Sequence, residues 1–406
     1  MLMRKLFFVL GMLIFQGVQA QVKQSPSHSS VPPVLSWDGA RLITWREKAI
    51  SHDTTALRLL AQLRAQADKL LDMPPLSVMD KSSTPASGSK HDYMSQAPYF
   101  WYDSTKPNGL PYIRRDGQRN PEINKITDHH NLSELGNAVQ VLSLSWYLTQ
   151  DTKYAEKAAL LLRHWFLDPA TQMNPNLEYG QAIPGINNGR GIGIIETIPL
   201  IGIADAARLL EGTPAWPAKE SRALQTWYAQ YLHWMLTSKN GREEHAAANN
   251  HGTWYLAQAT DLALFTGDTA EARTLAEEGK AKMEHQIASD GKMPEELART
   301  NGLGYSTYNL QAFFTLARLA RHTGLNLWVY KNTQNGGIRT AFDWLIPYAL
   351  GRRKWEYEQI SGYNKDDIYA LLLQASPVYD DPAYFTDARS IHPGRGNALT
   401  ELSWGF

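Results

Sequence analysis

Two short stretches concentrate the side chains of this sequence that can hold anions and move protons. The first reads Glu243-Glu244-His245-Ala-Ala-Ala-Asn249-Asn250-His251-Gly252-Thr253-Trp254, two amides and an imidazole just ahead of an apolar run. The second runs from Asp290 through Glu295, Glu296 and Arg299 into Gly304-Tyr305-Ser306-Thr307-Tyr308-Asn309. An amide or a guanidinium can hold a carboxylate by hydrogen bonds that strengthen as charge builds on it. An imidazole and a phenol can take and return protons. That set suits removal of a weakly acidic proton next to a carboxylate, such as C5–H of a 4-linked uronate, with loss of the O4 substituent. Asn250 and Arg299 fit the neutralising role, and His251 and a tyrosine fit the proton transfers. A phenol ordinarily has a pKa near 10, so nearby cations are needed to favour its phenolate.

Plainer roles compete at each position. Asn249 or Asn250 can cap the following helix, Arg299 can pair with Glu295 or Glu296, and Glu244 can be a solvated member of an acidic run. Glu244 lies seven positions before His251 and can instead orient that imidazole. Three further segments offer donors and aromatic faces for a polyanionic sugar chain. They carry Tyr99 and Trp101; Arg114, Arg115 and Arg119 with His129 and His130; and Asn187, Asn188 and Arg190 in a Gly-rich loop. Asn249 and Trp254 complete the expected substrate wall.

The elements that must position these residues are helical. Asp53–Leu71 repeats apolar residues at three- and four-residue spacing, with Asp53 or Thr54 as N-cap. Similar stretches cover 132–148, 153–165, 194–210, 221–236, 254–266, 270–287, 310–323 and 338–346, and strand-like alternation is scarce. Long polar segments lie between them, chiefly 77–131, 168–193 and 288–309, and loops of that length in a compact domain are usually functional. The expected fold is all-α: an incomplete (α/α) toroid of six or seven helix pairs, with long active-site loops at one mouth.

Arg4 and Lys5, the apolar run 6–15 and Val18-Gln19-Ala20 read as an export signal cut after Ala20, for a periplasmic or secreted protein. Residues 21–35 read as a flexible leader, and 36–406 as one catalytic domain. The chain has no cysteine, which removes thiolate chemistry, cysteine–zinc sites and disulfides. Its 40 basic and 40 acidic residues give no net charge, which argues against nucleic acid but leaves room for a local basic cleft. No cofactor, metal or membrane anchor after cleavage is expected, and the expected state is a monomer.

The sequence resembles the α/α-toroid alginate lyase superfamily over most of the mature chain, and most closely polysaccharide lyase family 38. The likeness rests on His91-Asp92-Tyr93, Tyr99-Phe100-Trp101, the segment from Lys106 to Gly117, the segment from Ile183 to Gly191, the Asn250-His251 pair and the Arg299/Tyr loop. It implies polyuronate cleavage by β-elimination and the four catalytic roles. Related mannuronate lyases place the tyrosine seven residues after the arginine, and here that position is Ser306, flanked by Tyr305 and Tyr308. Tyr305 is the preferred candidate and Tyr308 the alternative. A toroidal glycoside hydrolase using carboxylates such as Asp290, Glu295 and Glu296, or a non-catalytic acidic-glycan-binding protein, remains as a competing reading. Mannuronate, glucuronate and guluronate are not separated by these residues.

Overall fold

The computed structural model describes residues 31–405; the expected export signal and positions 21–30 of the leader lie outside the described residues. The folded body starts before the boundary expected at residue 36. Val34 and Leu35 are core residues, and the buried Asp205 carboxylate accepts the main-chain N–H groups of Leu35, Ser36 and Trp37. Residues 31–35 are thus part of the domain, held by one carboxylate and by apolar burial.

Fifteen α-helices carry the described chain. Twelve form six successive pairs. These are α1 (Gly39–Ile50) with α2 (Thr54–Leu70), α3 (Asp128–Thr149) with α4 (Thr152–Phe166), and α5 (Pro199–Leu210) with α6 (Ala218–Thr237). After the short α7 (Lys239–His245) come α8 (Asn250–Thr266) and α9 (Thr269–Gln286). After the one-turn α10 (Pro294–Leu297) come α11 (Gly302–Ala320) with α12 (Ile338–Ala349), then α13 (Lys365–Tyr379) with α14 (Pro382–Ile391). A lone α15 (Ala398–Trp404) stands where a seventh pair would be. Around the inside, α3 packs on α5, α5 on α8, α8 on α11 and α11 on α13, while α15 joins α13 to α1 and α2. This is the α/α toroid, with six pairs.

Burial pattern sorts inner helices from outer ones. Every residue of α8 from Gly252 to Phe265 is buried, including the polar Thr253, Gln258, Thr260 and Asp261, which marks it as a central helix. The peripheral α2 buries only Ala56, Leu59, Leu63 and Ala67, a single stripe at helical spacing. Asp53 caps α2 and Asn249 caps α8 through its side-chain oxygen.

Several boundaries differ from the sequence reading, each for a local reason. The run 194–210 is broken into a 3₁₀ segment, Gly191–Thr197, and α5, because Pro199 lacks an N–H and takes the first helical position. α3 starts at Asp128, so His129 and His130 belong to its first turn. α11 starts at Gly302, eight residues before Leu310, which puts Tyr305 and Tyr308 on a helix rather than in a loop. Its exposed N–H groups at Leu303 and Gly304 are taken by Gln359 Oε1, a cap from a distant segment. Helices α13 to α15 were not expected, and Pro377 inside α13 is one reason their pattern is hard to see.

Two small sheets tie the long segments together over the mouth. β1 (Met94–Gln96) pairs in parallel with β4 (Tyr179–Ala182), and β2 (Phe100–Trp101) pairs antiparallel with β3 (Ile113–Arg114).

Candidate active site

The N-terminal ends of α3, α8 and α11, with the 3₁₀ segment before α5, meet at one mouth and line a cleft of about 1120 Å³. Helix N-termini carry unsatisfied N–H groups and partial positive charge, so their convergence favours an anionic ligand before any side chain is counted. The cleft is lined by Tyr99, Arg114, Arg119, His129, His130, Arg190, Asn249, Asn250, His251, Arg299, Tyr305 and Tyr308 among others.

His251 stands on the first turn of α8. Its Nδ1 lies 2.7 Å from Oε1 of Glu244, a carboxylate only 1% exposed. The Nδ1 proton thus points at Glu244, and Nε2 is left as the basic nitrogen. Beside it, Asn250 is nearly enclosed. Its main-chain N–H donates to Glu296 Oε1 at 2.6 Å, its Nδ2 donates to Glu296 Oε2 at 2.9 Å, and its Oδ1 is buried without a hydrogen bond. Burial pushes the Glu296 carboxyl up to about 7, against the pull of the Asn250 donors.

Arg299 pairs with neither Glu295 nor Glu296 but with Asp116, 183 positions earlier. Nε and Nη2 reach the two Asp116 oxygens at 3.1 and 3.0 Å, and Thr300 and Arg114 bind the same carboxylate. Burial would lift the Asp116 carboxyl, but the two arginines override it and hold it well below the usual carboxylate range. The Arg299 guanidinium lies 3.9 Å from the Tyr305 ring centre. Tyr305 donates its hydroxyl proton to Tyr99 at 2.8 Å. Burial, then the tie to Tyr99, raise the Tyr305 phenol well above its ordinary value, and the Arg299 cation does not reverse that. The phenolate anticipated from the nearby cations is therefore not the resting form.

Tyr305 and Tyr308 are three apart on α11 and share its cleft face, whereas Ser306 is fully buried. Tyr308 packs on Trp254 with ring centres 5.4 Å apart. Trp254 is itself 6% exposed and does not line the cleft; it supports Tyr308 instead of touching substrate. Other expected wall residues also lie elsewhere. The Trp101 indole donates to the Gln118 carbonyl and sits under Arg115 at 5.3 Å, and neither lines the cleft. Asn187 accepts the Ile183 N–H to form a turn, and Asn188 is exposed outside the lining. The glycines of that loop serve chain packing: a Cβ on Gly189 would lie 2.0 Å from the Glu178 carbonyl oxygen.

Sequence reading passed over several participants. Gln181 holds a left-handed φ of 50°, receives Arg190 Nη2 at 2.8 Å, and so aims Arg190 along the cleft floor. Glu196 accepts the hydroxyls of Tyr93 and Ser95 at 2.8 and 2.6 Å beneath it. Asp116 sits in an Arg-Arg-Asp-Gly turn, a signal of pairing that the spacing alone did not connect to Arg299. Asp290 pairs with Lys292 and lies outside the cleft lining.

Residues 77–355 match the alginate lyase family. The crystal structure of an alginate lyase from Bacteroides ovatus aligns with a TM-score of 0.88 and 38% identity, over 92% of this chain and 99% of that one. Two tetrasaccharide complexes of alginate lyase A1-III, from Sphingomonas species A1, align with TM-scores of 0.57 and 13% identity. They cover 93% and 94% of this chain and 98% and 99% of theirs, and at that identity they speak for the fold alone. No curated protein matches the chain. With the family match spanning most of the toroid and a 38%-identical structure aligned along nearly its whole length, the chain belongs to the alginate lyase family and is a polysaccharide lyase.

Proposed function

We propose that this enzyme cleaves alginate, a 4-linked polyuronate, by β-elimination, leaving an unsaturated uronate at the new non-reducing end. The observation that carries this reading is the meeting of Asn250, His251, Arg299 and Tyr305 in one cleft from two helix N-termini and one turn. Asn250 and the Arg299 Nη1 group, the one nitrogen not tied to Asp116, hold the uronate carboxylate and take up charge as C5 loses its proton. The C5–H electron pair becomes the C4=C5 bond, the C4–O4 bond breaks, and O4 receives a proton. Where C5–H and O4 share a face, as in mannuronate and glucuronate, Tyr305 first passes its own proton through the Tyr99 hydroxyl to water at the cleft mouth, then takes the C5 proton and delivers it to O4. Where they lie on opposite faces, as in guluronate, His251 Nε2 takes the C5 proton and the resting Tyr305 phenol protonates O4.

Ultraviolet absorbance during parallel incubation with polymannuronate, polyguluronate, glucuronan and a glycosaminoglycan tests the proposal. A rise with either alginate block is expected, since elimination conjugates a double bond to the carboxylate. New reducing ends without absorbance would replace it with hydrolysis, and a rise with glucuronan alone would change the sugar. Asn250→Ala and Arg299→Ala should each raise the barrier by roughly 3 kcal/mol, the scale of one lost oxyanion-type donor. Full activity in either variant would remove that residue from the carboxylate site. We further propose an exported, periplasmic or secreted enzyme, checked by N-terminal sequencing of the mature protein for a start at Gln21.

A further inference from the structure

We propose that Glu296 is a positioning residue: it selects which edge of the Asn250 amide meets the substrate carboxylate. The inference rests on the carboxylate-binding role given to Asn250 above.

Asn250 is the first residue of α8, so its main-chain N–H has no acceptor within the helix. Glu296, on α10, takes that N–H with one oxygen and the side-chain Nδ2 with the other. Helix capping alone does not call for a carboxylate here. Glu296 is fully enclosed (0% exposed), and among the described residues both of its hydrogen bonds go to a neutral partner, Asn250. Enclosing a carboxylate without a paired cation is costly. A second cost sits next to it, since Asn250 Oδ1 is buried with no hydrogen bond at all. A neutral amide at position 296 would remove both costs.

The chemistry of the two groups explains why they are kept. Above the pH of about 7 at which it ionises, the Glu296 carboxylate only accepts, so it meets the NH₂ edge of the amide and not the carbonyl edge. Glu296 therefore holds Nδ2 on its side and turns Oδ1 into the protein. A primary amide nitrogen carries two protons, and one is spent on Glu296. The second is left for the uronate carboxylate, since Asn250 lines the cleft and its Oδ1 is buried. With the amide reversed, a carbonyl oxygen would replace that donor and repel the uronate carboxylate. Two unfavourable buried groups thus specify the polarity of one donor in the cleft.

Glu296→Gln tests this because it keeps the shape and reverses the choice. Its Oε1 can still take the Asn250 main-chain N–H, and its NH₂ can donate to Asn250 Oδ1 once the amide turns over. The variant is expected to fold, with a Tm at pH 8 equal to or above wild type. Its kcat/KM on alginate is expected to fall by on the order of 100-fold, carried by kcat, as for loss of one oxyanion-type donor. The double variant Asn250→Ala/Glu296→Gln should be no slower than Asn250→Ala alone, because both changes remove the same donor. Glu296→Gln within threefold of wild type, while Asn250→Ala is inactive, would overturn this inference and leave the role of Asn250 standing. An active Asn250→Ala would overturn both. Should the glutamine variant be recovered unfolded, Glu296→Asp takes its place. It keeps an acceptor-only group and is expected to retain at least tenfold more activity than Asn250→Ala; a loss as complete as that of Asn250→Ala would count against the inference.

Discussion

The cleft has two walls built on different principles. On one side, Asn250, His251, Tyr305 and Tyr308 stand on the first turns of α8 and α11, with Glu296, Glu244 and Trp254 enclosed around them. On the other, Tyr99, Arg114 and Arg190 ride on long segments whose regular pairing is two small two-stranded sheets. The partners there are wetter: the side chains of Arg114 and Asp116 are 59% and 20% exposed, against 1% for Glu244. Groups whose proton or donor state decides the reaction are thus fixed by rigid elements and dry partners. Groups that grip the polyanion sit on irregular segments, with Arg114 in contact with water.

If that contrast is right, substitutions on the helical wall should damage turnover, and those on the loop wall should damage affinity. The largest effect is expected for Tyr305→Phe, a loss of about 10³-fold or more in kcat with KM little changed, as for a residue making two proton transfers. Steady-state rates for Tyr305→Phe and Tyr308→Phe side by side decide it; a dead Tyr308→Phe beside a healthy Tyr305→Phe would exchange their roles. Next comes Glu244→Gln, expected to cost about 10- to 100-fold in kcat by loosening the His251 tautomer. An unchanged rate would make Glu244 a structural neighbour only. On the loop wall, Arg114→Ala should raise KM a few-fold and leave kcat alone, in line with about 1 kcal/mol or less for an exposed charge. A fall in kcat of the Glu244→Gln size would erase the distinction between the walls.

The last effect concerns stability, not turnover. Burial raises the Glu296 carboxyl to about 7 from an ordinary 4.5, so the folded state favours its protonated form. The stabilisation from holding that proton is complete below the unfolded value and is lost as pH rises through about 7. Glu296→Gln never ionises and should therefore gain on wild type above neutrality, by on the order of 1 to 3 kcal/mol. Melting curves at pH 5 and pH 8 would show the gap widening at the higher pH, and an equal gap at both would refute the shift.

Much of this was legible in the sequence because it is local. Three- and four-residue periodicity exposed nine of the helical stretches, Asp53 announced its helix, and the Asn-Asn-His run sits where the chemistry is. What escaped reading depends on distant partners. The start of α11 is hidden because Gln359 supplies its cap from more than fifty positions away, so two tyrosines looked like loop residues. The plainer sequence alternative pairs Arg299 with its nearest acids, while the fold gives it Asp116. Trp254 and Asn187 looked like wall residues because type and neighbourhood do not reveal which side of an element faces inward.

The gathering of helix N-termini at one mouth also bears on how fast substrate arrives. The chain as a whole is neutral, so it exerts little pull on a polyanion far away. Within about one Debye length, roughly 8 Å at physiological salt, the aligned backbone dipoles and the mouth arginines dominate. Capture is then a short-range event at the opening. Added salt should slow productive encounters, read as kcat/KM, while leaving the rate of a filled cleft nearly constant.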